Sequence, residues 1–207
     1  LAGYFDTTAS LIQLSLTFSM VGLAVGQLVI GPLSDKYGRK KTLMASLVLF
    51  CISTIGCLYA SDIYVFIFFR LLQGLSGAGG VVISKSIATD LYEGRELTRF
   101  FSMLSSVQGI APVCAPVLGG VLLEVTDWKG IFWILVLIGI LLIMALAFFK
   151  ESLNNEQQHC GVFATFRNYI PVFQNAQFMR YVLVQAFAMG VMFTYIAASP
   201  FIFQEHF

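Results

Sequence analysis

Long apolar runs alternate with short polar segments along the whole chain. Each run holds about 18 to 24 residues, and a helix of that length crosses roughly 30 Å of hydrocarbon. The pattern therefore predicts an all-α integral membrane protein with six transmembrane helices. The predicted spans are residues 11–30, 43–60, 63–84, 100–123, 131–149 and 181–203.

Composition supports a membrane protein and excludes several other classes. Hydrophobic residues make up 58% of the chain and charged residues only 11%, whereas a soluble domain is about one quarter charged. The net charge of +1 gives no reason to expect nucleic acid as a partner. His159 and His206 are the only histidines, and neither the histidines nor the cysteines have catalytic or metal-ligand spacing. We therefore expect neither an enzyme nor a metal site.

The polar segments differ in charge on the two sides of the predicted membrane. Because cytoplasmic loops are enriched in Lys and Arg, the more basic side is predicted to face the cytoplasm. We expect the membrane to be the cytoplasmic (inner) membrane. The more basic side holds Lys36, Arg39, Lys40, Lys41, Arg95, Arg99, Lys150, Arg167 and Arg180, whereas the other side holds only Lys129.

The segment after Glu151 is more polar than the spans. Phe163, Phe166, Ile170 and Phe173 recur at roughly helical spacing, which predicts a short amphipathic helix on the cytoplasmic leaflet. A disordered linker is the alternative. The chain is accordingly divided into residues 1–150, a linker at 151–180, and a last helix at 181–207.

A short charged turn is predicted at residues 31–41, between the first two spans. Its spacing, G-x-L-x-D-x-x-G-R-K-x-x-L, resembles the loop 2–3 signature of the major facilitator superfamily of transporters. An ordinary basic loop is the alternative interpretation. The characteristic positions are Gly31, Leu33, Asp35, Gly38, Arg39, Lys40 and Leu43. By this resemblance Asp35 and Arg39 form a conformational latch with Asp90, with Gly31 and Gly38 shaping the turn; otherwise these are three solvated charges.

Arg70 is the deepest charge, about 12 Å into the third span. Such a residue costs roughly 2.5 kcal/mol or more in a membrane, so it must face a partner or a wet cavity. Gln73 follows at i+3 on the same helical face. A structural ion pair with an acid on another helix is the alternative. The run from Arg70 to Gly79 resembles the superfamily's fourth-helix motif, which implies a role in proton coupling or substrate binding.

The fourth span contains two prolines, which bend helices. A kinked packing helix explains them without any transport role. The pattern also resembles the fifth-helix signature of the drug:proton antiporters, although Ala115 replaces a usual glycine. Together with Trp128 and the run Ile131 to Leu135, it is most similar to the Bcr/CflA-type multidrug efflux subfamily. The signature residues are Gly109, Pro112, Pro116, Gly119 and Gly120.

The resemblance implies a major facilitator fold in which these spans are helices 2 to 7 of an expected twelve. Residues 1–150 would be an amino-terminal bundle lacking its first helix, which is expected to hold the proton-carrying acid. The implied function is proton-coupled efflux of small hydrophobic drugs by a monomer that uses the proton gradient and no cofactor. We expect the pocket wall to include Gln13, Arg70, Gln73, Gln108, Phe187, Met192 and Tyr195.

Two other functions are compatible with six apolar spans. A major facilitator symporter for a sugar or metabolite would share the loop motif but usually lacks the proline pattern. A non-transporting membrane subunit would explain the spans but neither Arg70 nor the charged latch.

Overall fold

The computed structural model describes residues 2–5, 7–149, 151 and 169–206. Among these, the side chains at positions 2, 3, 9, 113, 116, 169, 170, 172 and 195–206 lie outside the description. The chain divides into two compact units, Leu1–Cys160 and Gly161–Phe207. The three-part division predicted from the sequence stays a prediction.

The described residues form α-helices joined by short breaks. Five of the described helices are long and apolar enough to cross a membrane, and a sixth is reached if the bent segments Gly94–Pro112 and Val117–Val125 form one span. The all-α membrane fold is therefore confirmed. The first unit contains α1 (Ala2–Phe5), α2 (Ala9–Tyr37), α3 (Arg39–Tyr59), α4 (Ile63–Leu91), α5 (Gly94–Val125) and α6 (Trp128–Ala147).

Most of the described helices extend beyond the apolar runs that predicted them at one end or both. The predicted turn at 31–41 is wrong in extent, because α2 continues through Pro32 to Tyr37 and the break is Gly38 alone. Gly38 has a φ of 97°, which only glycine adopts at little cost. Hydropathy shows where the hydrocarbon layer ends. A helix forms hydrogen bonds between its own backbone groups, so it can continue into the polar headgroup region.

Helices α2 and α4 pack backbone against backbone. A Cβ built on Gly74 would overlap the Ser19 carbonyl oxygen, and one on Gly22 would overlap that of Leu71. Small residues allow this close approach, which dispersion and not the hydrophobic effect must stabilise in lipid. The pair forms a rigid frame for the side chains between them.

An aromatic cluster lies where α4 and α6 begin. Phe66 of α4 is 2% exposed, and its ring contacts those of Phe5, Trp128 and Phe132. Lys129 lies over the Tyr4 ring, with Nζ 4.5 Å from the centroid. These contacts fix the end of the bundle that the charge bias places outside the cell.

The second unit contains α7 (Tyr169–Gln174) and α8 (Ala176–His206). Pro171 lies within the first turn of α7, where its missing N–H has no helical acceptor to lose. The predicted amphipathic helix falls mostly outside the described residues, as do Phe163 and Phe166. That helix stays a prediction.

Candidate functional site

A hydrogen-bonded chain connects Arg70 of α4 to the interior of α3. Arg70 Nη1 donates to Gln73 Oε1 over 2.6 Å. Gln73 Nε2 donates to Thr54 Oγ1 over 2.8 Å, and Thr54 Oγ1 donates to the Phe50 carbonyl over 2.6 Å. The chain fixes the orientation of the buried Gln73 amide, so that its carbonyl oxygen is presented to the guanidinium.

Arg70 has no carboxylate partner within the part of the chain that the structure describes. The salt bridges found there both belong to Arg39. A guanidinium has five N–H groups, and Gln73 accepts from only one nitrogen of Arg70. Arg70 can therefore interact with a ligand or with an acid on another helix.

A cavity of about 380 Å³ lies beside this network. It is formed by α2, α3, α4 and α6, and its wall is apolar apart from Ser19, Arg70 and Gln73. This is the size and character of a small-molecule site, where a few polar groups orient a mostly apolar ligand. Met20 and Phe50 also line it, and adaptable side chains of this kind suit varied apolar ligands.

The predicted pocket residues have different outcomes. Arg70 and Gln73 line this cavity, whereas Gln13 and Gln108 are exposed on α2 and α5 and do not line it. Phe187 and Met192 lie on α8 in the second unit, and the Tyr195 side chain lies outside the described residues. The sequence analysis missed Ser19, Met20, Phe50 and Thr54.

The proline-containing helix α5 presents small residues without a close neighbour. A Cβ built on Gly109, Gly119 or Gly120 would meet nothing within 4 Å. The helix bends by 48° between Gly94–Pro112 and Val117–Val125, as the prolines lead one to expect. The role of this helix in antiport stays a prediction, and the Pro116 side chain lies outside the description.

The three charges predicted to form a latch are in contact. Arg39 is only 7% exposed, and its Nε donates to Asp90 Oδ2 over 2.9 Å. Its Nη1 pairs with Asp35 and also donates to Ser34 Oγ over 2.7 Å. The guanidinium thus joins the end of α2 to the end of α4, a geometry that solvated surface charges would not give.

Glu151 extends the cluster to the end of α6, which the sequence analysis missed. Its carboxylate accepts from the backbone N–H of Arg39 over 2.9 Å and of Lys40 over 3.1 Å. Lys40 Nζ donates in turn to the carbonyls of Ala147 and Phe149. An acid therefore caps the N-terminus of α3, and a base caps the C-terminus of α6, as the helix dipoles favour.

The profile of the Major Facilitator Superfamily matches residues 1–207. The chain belongs to the major facilitator superfamily. A crystal structure of the human organic anion transporter MFSD10 (TETRAN) superposes with a TM-score of 0.61 at 19% identity, covering 72% of this chain and 34% of that one. At that identity the likeness supports the superfamily's fold alone.

Three sequences similar to this chain come from bacteria. The chain is 37% identical over 204 residues to an uncharacterised MFS-type transporter, YdgK, of Bacillus subtilis. It is 28% identical over 203 residues to a bicyclomycin resistance protein homolog of Haemophilus influenzae, and 28% identical over 202 residues to the multidrug resistance protein MdtL of Escherichia coli. These matches cover 97%, 96% and 97% of this chain, but the chain spans only 51%, 50% and 51% of the relatives.

Asp35→Asn in the complete transporter should slow turnover roughly tenfold, which corresponds to about 1.4 kcal/mol. The substitution weakens a charge-assisted contact with Arg39 that fixes the ends of α2 and α4 relative to each other. Substrate affinity should change less, because the latch is predicted to act on conformational steps and not on binding. Initial transport rates across a range of substrate concentrations measure both quantities.

Glu93→Gln is the matched control for Asp35→Asn. Glu93 is an exposed acid in the break between α4 and α5, close in sequence to Asp90, and its removal should leave turnover unchanged. Normal turnover in Asp35→Asn would show that the cluster has no part in the transport cycle.

Proposed function

We propose that the complete protein exports small, largely apolar drugs across the cytoplasmic membrane in exchange for protons, as a monomer working by alternating access. The observation that supports this most strongly is Arg70, which lies within a span beside an apolar-walled cavity. A charge at that depth is too costly to retain without a role. The relatives named for bicyclomycin and multidrug resistance support a drug as the substrate.

Arg70 is suited to couple substrate movement to a proton. A cation favours the charged form of a carboxylate on a facing helix, so it promotes proton release when the two approach. Separation of the two during the conformational change would then favour proton uptake. The carboxylate is expected on the first transmembrane helix of the complete transporter, which is not the short helix α1.

The polar residues also explain a preference for apolar ligands. Gln73 is already engaged by Thr54 and Arg70, so the polar groups left for a hydroxyl-rich substrate are confined to Arg70 and Ser19 among the described residues of the wall. A site built for a sugar contains several hydrogen-bonding side chains, because each unpaired hydroxyl would cost free energy. The described cavity wall is instead mostly aliphatic and aromatic, which favours drug export over sugar symport.

The test is drug accumulation in a bacterium that lacks its own efflux pumps. Cells that express the complete protein should accumulate several-fold less ethidium than cells with an empty vector. A protonophore should abolish the difference, because export depends on the proton gradient. Equal accumulation of ethidium and of other lipophilic drugs, together with gradient-dependent uptake of a sugar or metabolite, would instead identify a symporter.

A further inference from the structure

A second apolar groove lies between α2 and α3, next to the Lys-rich break at Gly38. It has a volume of about 360 Å³ and is lined by Val29, Leu33, Ala45 and Leu49, and by Leu75 of α4. We propose that this groove binds an anionic phospholipid of the cytoplasmic leaflet, with an acyl chain in the groove and the phosphate beside Lys41. The site is separate from the Arg70 cavity and does not depend on the proposed drug export.

Thr42 provides an independent indication of a ligand. It lines the groove in the first turn of α3 and is only 5% exposed. Its hydroxyl has no hydrogen-bond partner among the described residues. An unsatisfied buried hydroxyl costs about 1 to 3 kcal/mol, and the ester or phosphate oxygens of a phospholipid would accept a hydrogen bond from it.

The charges at the mouth of the groove favour an anionic ligand. Lys41 and Tyr37 line it, and Lys36 Nζ lies 5.0 Å from the centre of the Tyr37 ring. No acid is among the residues that line it, and nearby Asp35 is engaged by Arg39. Basic pockets between transmembrane helices on the cytoplasmic side are typical sites for anionic lipid headgroups.

The dimensions fit a lipid better than a free phosphate or a soluble ligand. From Thr42 to Leu49 the helix rises about 10 Å, which is within one leaflet of a hydrocarbon layer roughly 30 Å thick. The polar end of the groove lies at the basic break, where the headgroups are expected. A phospholipid has the same order of groups along its length, with phosphate at the surface and apolar chain below.

Native mass spectrometry of the complete protein tests the proposal, with phosphatidylglycerol and phosphatidylcholine of identical chains as probes. The wild-type protein should retain phosphatidylglycerol in preference to phosphatidylcholine. Lys41→Gln should weaken phosphatidylglycerol binding about fivefold, the effect of one cation near an anionic surface. Ala45→Phe should reduce binding of the same lipid by filling the groove without changing any charge.

Lys85→Gln is the matched control. Lys85 is an exposed lysine near the C-terminal end of α4, and it does not line the groove. It should leave phosphatidylglycerol binding unchanged. Equal retention of the two lipids, or binding unaffected by Lys41→Gln, would overturn the proposal. Cross-linking of a cysteine at position 45 to another helix of the complete protein would also overturn it, because the groove would then be covered by protein and not by lipid. If Ala45→Phe does not fold, Lys41→Gln decides alone.

Discussion

Arg70→Ala in the complete transporter should reduce drug efflux to the level of cells without the protein, while the variant still folds and inserts. Removal of the guanidinium eliminates the one charge among the described residues that line the Arg70 cavity. It also leaves the Gln73 carbonyl oxygen without its donor, which costs about 1 to 3 kcal/mol. That loss is too small to unfold most proteins of this size. Drug accumulation in cells, together with a melting curve in detergent, measures both effects.

Two further variants make the Arg70 test specific. Arg70→Lys keeps the charge but loses the planar fork of donors, so it should retain part of the efflux activity. Arg95→Ala removes an exposed cation in the first turn of α5 and should transport normally. Normal efflux in Arg70→Ala would contradict a functional role. Failure of that variant to fold would identify Arg70 as a structural residue.

Gly74→Ala should have the largest effect on stability of any single added methyl group in α4. A Cβ at Gly74 would overlap the Ser19 carbonyl oxygen on α2, which is backbone and cannot move aside. Overpacking of this kind costs about 1 to 3 kcal/mol, so the melting temperature of the purified protein should fall by roughly 5 °C or more. Thermal unfolding in detergent measures the shift.

Gly80→Ala provides the control on the same helix. A Cβ there would meet nothing within 4 Å, and alanine is favoured over glycine inside a helix. The melting temperature should be unchanged or slightly raised. If both alanine variants melt at the wild-type temperature, the close approach of α2 and α4 is not part of the native structure.

The sequence predicts the spans well because a membrane imposes a simple requirement on them. A span must be apolar over the thickness of the hydrocarbon, and that requirement is visible in the pattern alone. It does not predict where helices end, since α2 continues past Gly31 and Pro32 to Tyr37. Gly38 ends it through a backbone conformation that glycine allows, and hydropathy contains no information on φ.

The candidate site is predictable only where one helix determines the geometry. Arg70 is identified because a charge within a span costs free energy. Gln73 is identified by its i+3 spacing from Arg70. Thr54 reaches its partner from another helix, and Glu151 reaches its partners from the segment after α6. Such contacts depend on packing that a single sequence does not specify. Arg39 and Asp90 are 51 residues apart, and their pairing could be expected only from resemblance to the superfamily.

Drug-induced proton release tests the central proposal most directly. The complete transporter, purified in weakly buffered detergent with a pH-sensitive dye, should release protons when a transported drug is added, because the proposed mechanism brings Arg70 to the carboxylate and so favours its charged form. Arg70→Ala should release none, although its melting curve shows a folded protein. Drug binding without proton release by the wild-type protein, or equal release by Arg70→Ala, would contradict proton-coupled export through Arg70.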